Sequence, residues 1–139
     1  MFEKIDRVVV GVRDLEKSKE YFSELLGIKF DQVLVSERLK MQAVYSSFGL
    51  ELVAATEPDS VVDKFVQTRG EGVFAIVVKV ADLDQAVKMC REKGLRYAGD
   101  LEVGGLREVA FHPRDAHGVQ IVLTAYDACH PATIAALKK

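Results

Sequence analysis

The sequence predicts an α+β fold built from two β-α-β-β-β modules in one domain. Three observations lead there. The chain has 139 residues, about the size of one ordinary domain. Two segments repeat each other at a shift of 68 residues, so that Val12, Asp14 and Leu15 return as Val80, Asp82 and Leu83. In both copies a β-branched run is followed by a helix-period run, and then by three more strand-like pieces. The predicted bounds are 4–57 for module one, 58–72 for a connector, 73–125 for module two and 126–139 for a C-terminal tail.

Each element has a local reason. Val8, Val10 and Val12 alternate with Val9, Gly11 and Arg13, and β-branched side chains suit a pleated strand. Asp14 and Asp82 are N-cap residues in type and place, since a carboxylate there accepts an orphan amide of the first turn. Leu15, Ser18, Tyr21, Phe22, Leu25 and Leu26 read as one core-facing stripe, and Leu83, Ala86, Val87 and Cys90 as its counterpart. Gly27 and Gly94 suit the helix ends. Strands are expected within residues 29–37, 40–48, 50–56, 95–103, 106–113 and 118–125. The connector holds a short helix around "SVVDKFV", and "PATIAALKK" in the tail reads as a weak helix begun by Pro131.

Bulk properties exclude several roles. The apolar fraction is 49% and the net charge −2, so there is a core to bury and no basic field for nucleic acid. No apolar run reaches the about 18 residues that span a membrane. The opening "MFEKIDR" carries charge and no apolar core, so no secretory leader is expected. Two cysteines, Cys90 and Cys129, imply no disulfide framework. The expectation is a cytoplasmic protein with reduced thiols and a small-molecule partner.

The repeat resembles the vicinal oxygen chelate superfamily, which includes glyoxalase, bleomycin-resistance and extradiol dioxygenase proteins. The resemblance runs over about residues 4–125 and rests on "DRVVVGVRDLEKSKEYFSELLG", "GVFAIVVKVADLDQA" and "HPRDAHGVQIVL" in that order. The last of these leans toward a methylmalonyl-CoA epimerase-like branch. The resemblance implies two modules forming a half-barrel cleft, a homodimer, and a divalent metal held by a histidine on the first strand and a carboxylate or amide on the last strand of each module. Such a metal would stabilise an enolate as a Lewis acid.

Carried over by position, those ligands are missing. The first-strand places fall on Arg7 and Ala75, and the last-strand place of module two on Val122. In module one it falls on Glu51 if the "EL" dipeptide is matched, or on Val53 if Gly49 is matched to Gly118. Arginine has no lone pair to give, and alanine and valine have no donor atom. The expectation is therefore no metal and no cofactor. His112, His117 and His130 have no neighbouring ligand at helical or strand spacing, although His112 is kept as a ligand-binding candidate.

Arg7 then admits three readings. It and Glu51 neutralise each other inside a filled barrel. It meets an anionic ligand or enolate oxygen in place of the metal. Or it points outward beside Asp6, one register step away. If the chain is catalytic, Arg7 and Glu51 are the candidates, with Glu51 as proton carrier. Gln120, placed as the repeat partner of Glu51, can only hydrogen-bond. Tyr45, Arg107 and Glu108 are further polar positions on late strands. Phe74 and Ala75 make one side of the expected cleft apolar, and with Val122 complete the candidate lining. An apolar cleft with one charged pole suits an amphipathic ligand such as an acyl-CoA or a carboxylic acid. The expected function is a metal-free binding protein for such a ligand. The alternative is a metal-independent epimerase, isomerase or lyase.

Overall fold

The computed structural model describes residues 1–103 and 105–126. Eight strands and three helices follow the predicted order. They are β1 (Phe2–Gly11), α1 (Leu15–Leu26), β2 (Leu34–Ser36), β3 (Met41–Tyr45), β4 (Leu50–Ala55), α2 (Val61–Arg69), β5 (Gly72–Val80), α3 (Leu83–Glu92), β6 (Tyr97–Val103), β7 (Leu106–Phe111) and β8 (Gln120–Ala125). One 3₁₀ turn, Pro113–Asp115, precedes β8. The tail helix expected from Pro131, together with Cys129 and His130, lies outside the described residues.

The strands run in the order β2-β3-β4-β1-β5-β8-β7-β6. The two modules share one topology. β1 lies parallel to β4 and β5 parallel to β8, while the other neighbours within each module are antiparallel. The α+β class with two β-α-β-β-β modules is thus as expected.

The contacts divide the chain into two compact units. One is Val8–Phe74, and the other joins Met1–Arg7 to the chain from Ala75 onward. In the first unit, Val12, Leu15, Val44, Leu52 and Ala54 form a core beneath α1. In the second, Val80, Leu83, Ala86, Phe111 and Leu123 do the same beneath α3. Both helices begin at the predicted aspartates. Asp14 accepts from the Lys17 amide and Asp82 from the Gln85 amide, each at 3.0 Å. α1 ends at Gly27 in the left-handed region (φ 66°), where glycine carries no Cβ penalty. α3 is capped one residue earlier than expected, at Lys93, and Gly94 follows with φ 94°.

The structure corrects two local expectations. The apolar stripe of α1 is narrower than predicted, because Tyr21 and Leu25 are 59% and 60% exposed. At about 100° per residue, Phe22 stands almost in line with Leu15, whereas Tyr21 and Leu25 are turned well off that line. The strand expected within 29–37 shrinks to Leu34–Ser36, with Phe30 making a single bridge to Ser46. Asp31 and Gln32 interrupt it, and Asp is a poor strand former.

Asp82→Ala should lower the unfolding free energy by about 1 kcal/mol, and Asp82→Ser should restore most of it. Urea titration followed by circular dichroism measures both.

Candidate functional site

Strand alternation sorts the second unit into two faces. Val78, Val80, Val109, Phe111, Ile121 and Leu123 turn to α3. Their neighbours form the opposite, inner face in rows set by the register. Lys79, Thr124 and Glu108 make one row, Val77, Val122 and Ala110 the next, and Ala75 with Gln120 the third.

Arg7 enters this unit from the first half of β1. It is 2% exposed. Its Nη1 donates to Asp6 Oδ2 at 2.7 Å and its Nη2 to Glu108 Oε2. The hydroxyl of Tyr126 donates to the other oxygen of Asp6. Lys79 Nζ pairs with Glu3 at 3.1 Å and sits 5.0 Å from the centre of the Tyr126 ring. Burial pushes the Tyr126 phenol up from its ordinary 10.0, and the hydrogen bond to Asp6 adds to the shift. A lone buried guanidinium would be very unfavourable, so pairing is the condition for having Arg7 here at all. The bond from β1 to β7 passes over β5 and β8, roughly 14 Å on a flat sheet at ~4.8 Å per strand. Side chains stand off a sheet rather than along it, so the inner face of this unit curves around Arg7.

Of the three readings of Arg7, exposure is thus overturned. Arg7 is buried and paired with Asp6 and Glu108. Glu108 was only one polar position among several in the sequence, and its partner lies 101 residues away in the chain.

The other candidates fall in three places. Ala75 (2% exposed), Val122 and Gln120 share the inner face with Glu108. Arg107, the residue beside Glu108, turns to the other face and reaches Asp84 in the first turn of α3 at 3.2 Å. His112 caps the 3₁₀ turn, where its Nδ1 accepts from the Arg114 amide at 3.3 Å. Glu51, Tyr45 and Phe74 belong to the unit Val8–Phe74. Val9, Glu51 and Tyr45 stand in one row across β1, β4 and β3, with Glu51 4% and Tyr45 7% exposed. Phe74 packs edge-on against Phe65 of α2, ring centres 5.1 Å apart. That pair closes on Gly11, where an added Cβ would meet the Phe65 ring at 3.2 Å.

The register also resolves the choice between Glu51 and Val53. Val9 corresponds to Val77 in the repeat, and their partners across the parallel pairs are Glu51 and Val122. Glu51 is therefore the counterpart of Val122, and Gln120 is the counterpart of Gly49 rather than of Glu51.

The model of the glyoxalase/bleomycin resistance protein/dioxygenase superfamily matches residues 4–123. The chain belongs to this superfamily. Mouse mitochondrial methylmalonyl-CoA epimerase is 26% identical over 127 residues, which are 86% of this chain and 71% of that one. A single-residue variant of Streptomyces coelicolor methylmalonyl-CoA epimerase, solved with 2-nitronate-propionyl-CoA, superposes with a TM-score of 0.83 at 28% identity. That match covers 92% of this chain and 100% of the other. A methylmalonyl-CoA epimerase solved with methylmalonyl-CoA and NH4+ gives 0.84 at 27% identity, covering 94% and 99%.

As a glyoxalase-superfamily chain, this one can be tested for a metal at the four positions that the resemblance implied. Arg7, Ala75 and Val122 supply no lone pair, and Glu51 supplies one carboxylate. These residues do not fit a divalent cation, which needs several converging ligands. Among the described residues, no three His, Cys, Asp or Glu side chains converge elsewhere.

Arg7→Met should lower stability by about 3–5 kcal/mol at neutral pH, because Asp6 and Glu108 are left buried with less compensation. Adding Glu108→Gln should recover part of the loss, as read by urea titration. The raised phenol of Tyr126 has a signed consequence. Its contribution to stability is full below the unfolded value of about 10 and is lost as pH rises toward the higher folded value. Unfolding free energy should therefore fall between about pH 10 and 11 in the parent protein, and fall less in Tyr126→Phe.

Proposed function

We propose that this protein binds an acyl-CoA thioester and does so without a divalent metal at the superfamily's ligand positions. The observation that carries the reading is the substitution at those positions. Where the resemblance calls for a first-strand histidine, a buried arginine is tied to two carboxylates. The acyl-CoA ligand is supported by likeness over nine-tenths of the chain to epimerases solved with CoA thioesters. Calorimetric titration with propionyl-CoA tests it. The dissociation constant should stay within about twofold after EDTA treatment. Loss of binding on chelation, restored by a divalent metal, would overturn the metal-free part.

A second reading is favoured by Glu51. Its carboxylate is 4% exposed on the last strand of module one, and a carboxylate is a group able to carry a proton. On this reading the protein is a metal-independent epimerase or isomerase that removes and returns the proton α to the thioester carbonyl. Deuterium from solvent should then enter that carbon, and Glu51→Gln should slow the exchange at least about a hundredfold. Binding without exchange leaves the binding role.

We further propose a cytoplasmic homodimer. Tyr21 and Leu25, exposed on α1, are apolar surface of the kind that an interface covers. Light scattering should give about twice the chain mass of 15.4 kDa.

A further inference from the structure

Thr124 and Glu108 stand directly opposite each other on β8 and β7 and share the inner face of their unit. Thr124 is completely buried, and its hydroxyl has no hydrogen-bond partner. Buried polar groups in folded proteins are nearly always bonded, so an orphan of this kind calls for an explanation. Glu108 gives Oε2 to Arg7. Among the described residues that is its one side-chain bond, and the side chain keeps 12% of its surface. Two groups are thus left next to each other, a hydroxyl that can donate or accept and a carboxylate oxygen that can only accept.

The charge around them is equally specific. The guanidinium of Arg7 is shared by Asp6 and Glu108, and the ammonium of Lys79 is held by Glu3. Among the described residues, these five groups are three acids and two bases, and neither base is left over for another anion. A carboxylate brought there would meet like charge in a poorly solvated place, which is strongly unfavourable. A neutral hydroxyl would instead donate to Glu108 Oε1 and accept from Thr124 Oγ1.

We infer that this face receives the acyl group of the thioester, favours an acyl chain carrying a hydroxyl, and rejects one carrying a carboxylate. The inference rests on the acyl-CoA reading above and narrows it. The chain would then differ in acyl specificity from the methylmalonyl-CoA epimerases it resembles.

Calorimetric titration with butyryl-CoA, 3-hydroxybutyryl-CoA and methylmalonyl-CoA tests this on the full chain. The hydroxyacyl thioester should bind about tenfold tighter than butyryl-CoA, and methylmalonyl-CoA should bind weakest. Thr124→Val should abolish the preference for the hydroxyl while leaving the melting temperature unchanged, since no bond is lost. Thr124→Ser should keep the preference. Glu108→Gln should reduce the penalty on methylmalonyl-CoA. If methylmalonyl-CoA binds tightest, or if the three bind equally, the inference is overturned and the acyl-CoA reading stands. If none of the three binds, both fall.

Discussion

The buried guanidinium of Arg7 sets the terms for one half of this molecule. A charge at 2% exposure is tolerable only with opposite charge in contact, and two strands supply it. Asp6 comes from the residue before it on β1, and Glu108 comes from β7. Tyr126 then satisfies the second oxygen of Asp6. The first half of β1 is held to this unit by more than Arg7, since the Ala81 amide donates to the Met1 carbonyl at 3.0 Å and Lys79 pairs with Glu3. Met1–Arg7 accordingly group with the chain from Ala75 onward.

The two modules agree on their helix-facing side and differ on the other. Leu15 and Leu83 follow the same Asp cap, and each anchors a small aliphatic core. The opposite faces have diverged. One carries Val9, Glu51 and Tyr45 in a row, while the corresponding row of the other carries Val77, Val122 and Ala110. A helix packed on a sheet needs only apolar bulk at the right period, which both copies provide. The inner faces answer to local charge, and nothing in the packing of α1 or α3 requires them to match.

This difference also decides what was legible in the sequence. Caps, strands and helices were readable because their causes are local. Asp14 and Asp82 need only the amide three residues on, and valine runs need only the pleat. The width of the α1 stripe is less legible, because Tyr21 and Leu25 are apolar by type yet off the line of Leu15 and Phe22. The pairing of Arg7 with Glu108 is not readable, since a contact 101 residues apart leaves no periodic trace. Even Asp6, its neighbour in the chain, fits an outward-facing Arg7 as well as a buried one while only the sequence is known. Thr124 carries no signal in the sequence, because a threonine in a strand is ordinary until its hydroxyl proves to be buried without a partner. The choice between Glu51 and Val53 needed the register, which strand pairing alone supplies.

An arginine in place of a metal ligand changes the kind of chemistry available. A divalent ion draws in oxygen lone pairs and can polarise a carbonyl by coordination. A guanidinium has only N–H donors and one delocalised charge, and here at least two of those donors are engaged by carboxylates. On the proposed reading, recognition on the inner face of the second unit would run through hydrogen bonds, for which Glu108 and Thr124 carry the oxygen atoms. Such a set discriminates sharply between a hydroxyl and a carboxylate, because one satisfies an acceptor and the other repels it. If the proposed acyl-CoA reading holds, the substitution that takes metal ligands away from these positions also supplies a basis for a different acyl specificity.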